Sequence, residues 1–368
     1  MRHEQEALFA GILENPDDDA PRLIYADWLE EHEDEERANF IRWQIALHQM
    51  PWYAPEYYHL RSITEALLLK HRTSWQIPLQ GVEQVFNRGF VAGLRGPLST
   101  LYSHWSLLST TAPICGLHLT DAVWTNFEFP LVNPLFLRLK HLTIEASLAV
   151  VLPAVAPSLL QPHLHSLNCP DIATLAYWLS VCQCPALTDL TIFSLRMGEE
   201  RARERLFALL VQQPPTTLRL WWRIPRFYSD AFRATEMAML AVTDCLEKLR
   251  VLDLTDQKIG DAGLRHLANS PVLHQLEELH LARNDIGLTG EVALEEFCAS
   301  ANFSKLKALN LSGNHLAVGC RTLADWPGLV NLRWLNVSDC GFSKRNADYL
   351  RNSPYRHPDL VLLLDEEV

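Results

Sequence analysis

Between Leu249 and Phe342, apolar residues fall into one spacing four times over. Leu249, Leu252 and Leu254 lead into Gln257 and Ile259, and Leu276, Leu279 and Leu281 into Asn284 and Ile286. Leu306, Leu309 and Leu311 lead into Asn314 and Leu316, and Leu332, Leu335 and Val337 into Cys340 and Phe342. The step of two between the second and third apolar positions is the period of a strand with one face buried. Looser copies precede these at Leu117-Leu119, Leu139-Leu142-Ile144, Leu164-Leu167-Cys169, Leu187-Leu190-Ile192 and Leu218-Leu220. Their anchors lie 25, 25, 23 and 28 residues apart, with 34 more to Leu252. Residues 82–85 read as an opening strand and 359–364 as a closing one. Stretches 171–181, 199–211, 230–242, 260–268 and 290–301 have helical character.

A strand and a helix recurring at this period resemble leucine-rich repeats of the longer, ribonuclease-inhibitor-like class. The resemblance implies an α/β solenoid from about residue 82, with parallel strands on the concave face and helices or turns on the convex one. Prolines 113, 130, 134, 153 and 157 predict irregular convex turns in the early repeats. Each unit of a solenoid packs only on its neighbours, so the architecture presents an extended surface and shifts expectation from catalysis to binding.

The first 50 residues predict three short helices instead. Leu8, Phe9, Ile12 and Leu13 recur at helical spacing until Asn15-Pro16. Asp17–Asp19 offer cap oxygens to a second helix with Pro21 in its first turn, expected to bury Leu23, Ile24, Trp28 and Leu29. Asp34 is placed to cap a third, carrying Phe40, Ile41, Gln44 and Ile45. The run ENPDDDAPRLIYADWLEEHEDEERANFIRWQ, residues 14–44, resembles the repeat-companion domain of planctomycete bacteria, and NRGFV at 87–91 resembles the phrase that opens the repeats in such proteins. This implies a companion unit at 1–50, a connecting helix or linker at 51–81, a repeat domain at 82–368, and a bacterial source. It implies no activity. Such helices are expected to pack on the first strands near Val85, because a solenoid end needs a cover.

Residues 1–50 hold 13 acidic and 4 basic side chains, a net −9, whereas 51–368 hold 31 and 28, a net −3. Neither half offers the clustered basic face that nucleic acid or anionic membrane requires. No stretch approaches the roughly 18 uninterrupted apolar residues of a membrane span, and the acidic start differs from a secretory leader. A cytoplasmic chain is expected, with its eight cysteines reduced.

Each candidate for chemistry meets a simpler role. Gln257, Asn284, Asn314 and Cys340 are expected to bond the backbone of adjacent turns. His163, His165, Cys169, Cys182 and Cys184 match no zinc spacing, so no metal and no cofactor is expected. Cys169-Pro170-Asp171 resembles the Cys-x-Asp of bacterial leucine-rich ubiquitin ligases, but this thiol is expected to face the core. Asp27, Arg37 and Arg42 are expected to form ion pairs that set helix packing, the alternative being a docking surface. Outward positions at the strand centres are His118, Thr143, Asn168, Thr191, Arg219, Asp253, His280, Asn310 and Asn336. Asp253, His280 and Asn310 would form a hydrogen-bonded row without an evident nucleophile.

A non-enzymatic scaffold that binds a protein through the concave surface follows, the alternative being an enzyme or enzyme subunit using that row or the Cys/His cluster. The expected contacts are Phe193, Arg219, Trp221, Trp222 and Arg223, together with Asp253, His280 and Trp334. Trp and Arg combine large desolvated area with directional donors. The competing possibility is that residues 224–246 fold over the two tryptophans.

Overall fold

The computed structural model describes residues 2–121, 138–145, 159–160, 163–193, 200–220 and 234–365. They form two compact units, one of 1–164 with 181–186, the other of 165–180 with 187–368.

The first unit opens with four helices, α1 (Arg2–Glu14), α2 (Ala20–Glu31), α3 (Glu35–Gln49) and α4 (Pro55–Trp75). Pro21 and Pro55 occupy first turns, where a missing N–H breaks no intrahelical bond. Asp34 caps α3 as expected, accepting the Arg37 N–H at 3.2 Å. Asp18 supplies the expected cap oxygen of α2, accepting the Ala20 N–H at 2.9 Å, while Asp19 holds the cap position without a side-chain cap bond. Its carboxylate instead accepts from Arg88 at 3.2 Å and from Gln49 at 3.0 Å.

The buried face of α2 also differs from the expectation. Leu23 and Ile24 are 39% and 54% exposed, while Arg22, Tyr25, Ala26 and Leu29 turn inward. Those four follow the i, i+3, i+4, i+7 helical stripe, so periodicity overrides side-chain hydrophobicity. Arg22 is tolerated there because its guanidinium donates to the Asp18 carbonyl at 2.9 Å and lies over the Phe90 ring.

These helices pack on an antiparallel hairpin of β1 (Glu83–Asn87) and β2 (Phe90–Gly96). Its turn residues Arg88 and Gly89 both have positive φ, 49° and 87°. Arg88 donates to the Pro16 and Asp17 carbonyls, each at 2.8 Å, and the Gly89 N–H donates to Gln44 Oε1 at 2.8 Å. A Cβ on Gly89 would stand 2.4 Å from Ile41 Cγ1, so only glycine allows this approach. Phe90 enters the core made by Ile12, Tyr25, Ala26, Leu29, Ala38, Ile41 and Ile45, and Phe86 meets Phe40 edge-on. Helices and first strands therefore meet through Phe86 and Phe90, whereas Val85 is exposed. Two short helices, α5 (Leu98–Ser103) and α6 (Trp105–Thr111), precede β3 (Gly116–Leu119) and β4 (His141–Ile144). Strands β2, β3 and β4 run parallel with Leu94, Leu117 and Leu142 in register. Leu159–Leu160 (β5) pairs apart from that sheet with Cys182–Gln183 (β7).

The second unit carries the parallel strands β6 (Ser166–Cys169), β8 (Asp189–Ile192), β9 (Thr217–Leu220), β10 (Val251–Asp253), β11 (Glu278–His280), β12 (Ala308–Asn310), β13 (Trp334–Asn336) and β14 (Val361–Leu363). One leucine from each lies in a single row: 167, 190, 218, 252, 279, 309, 335 and 362. Leu252, Leu279, Leu309 and Leu335 have no exposed surface. Strand–helix alternation is supplied by α7 (Ile172–Val181), α8 (Glu200–Gln212), α9 (Ala234–Ala241), α10 (Gly260–Ala268), α11 (Val292–Ala299), α12 (Cys320–Ala324) and α13 (Lys344–Arg351). This is the α/β repeat architecture that the leucine spacing predicts.

Asn284 and Asn314, beyond β11 and β12, each secure the preceding turn. Gln257 departs from the expected bonding between turns: among the described residues its side chain donates only to the Thr255 carbonyl of its own turn. Asn284 Oδ1 accepts the N–H groups of Gln257 and Ile259 at 3.0 and 3.3 Å, and its Nδ2 donates to the Leu254 carbonyl at 2.8 Å. Asn314 repeats the pattern one turn on, accepting from Asn284 and Ile286 at 2.9 and 3.1 Å and donating to Leu281 at 2.8 Å. Cys340 takes the place of the amide in the following turn, donating to the Leu311 carbonyl at 3.1 Å with the backbone N–H groups of Gly313 and Asn314 against its sulfur. Asp256, Lys258, Arg283, Asp285 and Asp339 flank this row with φ of 54–60°, a strained conformation held by the bonds around it.

Candidate interaction surface

The parallel register sets Asn168, Thr191, Arg219, Asp253, His280, Asn310 and Asn336 side by side on one face of the second unit's sheet. What each side chain does there depends on the residue two places on. Asp253 Oδ1 accepts from the Thr255 N–H and hydroxyl at 2.9 and 2.7 Å. Asn310 does the same with Ser312 at 3.1 and 2.8 Å, and Asn336 with Ser338 at 3.0 and 2.8 Å. Asx-x-Ser/Thr thus closes the strand exit, a local turn in which the side chain stands in for a backbone group. His280 breaks the rule, since Ala282 has no hydroxyl; its Nε2 lies 3.6 Å from Glu278 and its ring 6.3 Å from that of Trp334.

The eight residues expected as contacts therefore separate. Arg219 and His280 are half-buried on the face, and Phe193 is half-buried just past β8. Asp253 is 8% exposed and committed to its turn. Trp334 is corrected from surface anchor to buried side chain: it is 6% exposed, beside fully buried Ala308 in the adjoining strand. Trp221, Trp222 and Arg223 lie outside the described residues.

The corresponding face of the first unit holds a charge cluster that sequence reading missed. Arg95, His118 and Thr143 are in register, and Glu145 Oε1 accepts from Arg95 at 2.9 Å and from His118 at 2.8 Å. Arg95 also reaches Glu83 at 3.3 Å. The Arg95 bond, aided by His118 and opposed by partial burial, holds the Glu145 carboxyl below its usual range. Glu145 sits two residues beyond the outward Thr143, so the strand period itself could have found it.

Among the described residues no group of three or more His, Cys, Asp or Glu side chains gathers as for a metal ion. His163 and His165 are exposed, Cys169 and Cys184 buried. Burial, with Asp171 nearby, pushes the Cys169 thiol far above its usual range, the reverse of what a nucleophile needs. In the helices, Arg42 pairs with Asp27 at 2.7 Å and Glu30 at 2.6 Å, as expected of packing ion pairs. Arg37 departs from that expectation and lies over aromatic rings instead.

The Leucine Rich repeat family model matches residues 246–268 and 272–294, two successive copies of the clean spacing. No curated protein sequence matches the chain. Among solved structures, a crystal structure of a Bacteroides fragilis protein is similar at 15% identity, with a TM-score of 0.32, over 73% of this chain and 59% of that one. The chain thus spans less than two thirds of that protein's length. Matched repeats and parallel strands together make this an α/β leucine-rich repeat fold with an N-terminal helical region. No helix among the described residues is long and apolar enough to cross a membrane.

Proposed function

We propose that the chain is a non-catalytic scaffold that binds a protein partner across the concave face of its repeats, in a bacterial cytoplasm. Residues 1–50 are then a repeat-companion unit, 51–81 a connector and 82–368 the binding domain. The observation that carries this reading is the register itself, which sets polar side chains of successive strands in a row from Asn168 to Asn336. Such a row carries polar groups across several strands, with Asp253, Asn310 and Asn336 fixed by their own turns and Arg219 and His280 reaching the surface beside them. Phe193, Arg219 and His280 are the proposed contacts in the described part, together with Trp221, Trp222 and Arg223, which follow β9 in the sequence.

Other thiols give a nucleophile no better setting. Burial raises Cys298 to about 12, Cys320 to about 11 and Cys340 to about 12. The net charge of −12 disfavours a nucleic-acid partner. The test is quantitative partner capture from the source bacterium with the parent chain and with an Arg219→Glu/His280→Glu variant. A drop of about 2 kcal/mol or more in binding, with the melting curve unchanged, is expected. Undiminished capture by the variant would remove this face from the function.

A further inference from the structure

The helical region lines an open pocket of about 300 Å³ within the first unit. Phe9, Tyr25, Trp75 and Phe90 give it aromatic walls, and Arg37 and Ser74 add polar lining. Arg37 is the unusual member. Its guanidinium carbon lies 4.5 Å from the centroid of Trp75, 5.3 Å from that of Phe90 and 5.4 Å from that of Phe40. Its Nη1 is buried and has no hydrogen-bond partner. Its guanidinium makes no ion pair with any described carboxylate, whereas Arg42 on the same helix holds two. Asp34, the acid that also lines the cavity, spends a carboxylate oxygen on the backbone N–H of Arg37.

Burial lowers the Arg37 pKa only to about 10, so the side chain stays cationic at neutral pH. Arg37 is half-buried: its Nη1 is shut from solvent without a partner, and the rest of the guanidinium faces the pocket with donors to give an anion. The guanidinium fork suits a carboxylate, which it can take through two parallel N–H···O bonds. Tyr25 adds a further donor: its oxygen accepts from Gln5 at 2.9 Å, which leaves its own O–H proton to give. Because Asp34 already offsets part of the Arg37 charge, the pocket tolerates a monoanion better than a dianion such as phosphate. At about 30 Å³ per water-sized volume, the space suits a ligand of roughly ten non-hydrogen atoms.

We infer that this cavity binds a carboxylate carried on a small apolar or aromatic body, with Arg37 taking the carboxylate and Trp75 and Phe90 the body. The carboxylate belongs either to a free acid or to a peptide C-terminus with an aromatic last residue. The test is calorimetric titration of the full chain with phenylacetate, phenylacetamide, inorganic phosphate and the dipeptide Gly-Phe. Phenylacetate or Gly-Phe should bind with a Kd of about 1 mM or tighter, and whichever binds better identifies the source. Phenylacetamide should bind at least about tenfold more weakly than its acid, and phosphate not at all over the same range.

Arg37→Met should abolish binding. Because that variant changes a packed position, Ser74→Trp serves as the second: Ser74 is exposed, and an indole there obstructs the cavity without entering the core. It should lose binding with an unchanged melting curve. Equal affinity for acid and amide, binding that survives in Arg37→Met, or no binding of either carboxylate up to about 10 mM would each overturn the inference.

Discussion

Asn284 spends both ends of its amide on backbone that has no water to turn to. Asn284→Ala would strip partners from two N–H groups and a carbonyl, each worth about 1–3 kcal/mol when left buried and unsatisfied. A loss of about 3 kcal/mol or more in urea unfolding is expected, and a loss under about 1 would show that water takes over the bonds. Asp261 makes a second side-chain tie between repeats, accepting from the Gly287 N–H at 2.6 Å and the Thr289 N–H at 2.9 Å. Burial pushes its pKa up, but the Thr289 hydroxyl and those two N–H groups outweigh this and leave it below 3.8. A carboxyl depressed in the folded state adds stability above its unfolded pKa and loses it as pH falls through the folded value. Melting followed from pH 5 down to about 2 should therefore fall less steeply in Asp261→Asn than in the parent. Identical slopes would remove Asp261 from the acid response. At this scale the asparagine row is legible in the spacing alone. Arg22 and Arg37 are not, because their burial depends on Phe90, some 50–70 residues away in the chain.

For the elements, strand prediction succeeded where the period of two was clean, and the closing stretch 359–364 contains the observed β14. Leu309→Ala, at a position with no exposed surface, should cost about 2–5 kcal/mol through lost burial and the cavity left behind. A denaturant midpoint that hardly moves would mean that neighbouring repeats collapse to fill the space. Helices α5 and α6 were not foreseen: at 6 and 7 residues they span too few turns to show a period, and their serines and threonines are weak helix formers. The hairpin turn yields a sharper prediction. Gly89→Ala meets a positive φ and the Ile41 side chain together, and should destabilise the first unit by about 2–4 kcal/mol. A change under about 1 kcal/mol in that unit's unfolding would show that the turn can shift away from α3.

In the molecule as a whole, the first 50 residues carry most of the excess negative charge, and Arg88 brings a cation to their acidic turn. Removing it by Arg88→Met should speed hydrogen exchange in α1 and α2 while β10–β13 keep their protection. Unchanged exchange in the helices would show that Phe86, Phe90 and the Gly89–Gln44 bond fasten them without Arg88. The direction of the asparagine row has a further consequence. Gln257 and Ile259 take their acceptor from Asn284, and Asn284 and Ile286 take theirs from Asn314, so each repeat is completed by the one after it. On the ribosome the amide of Gln257 must wait for a residue 27 positions later. At about 5–20 residues per second this is a pause of roughly one to five seconds. A nascent chain therefore always ends in one unfinished turn, and a chain cut short after a repeat keeps that defect permanently.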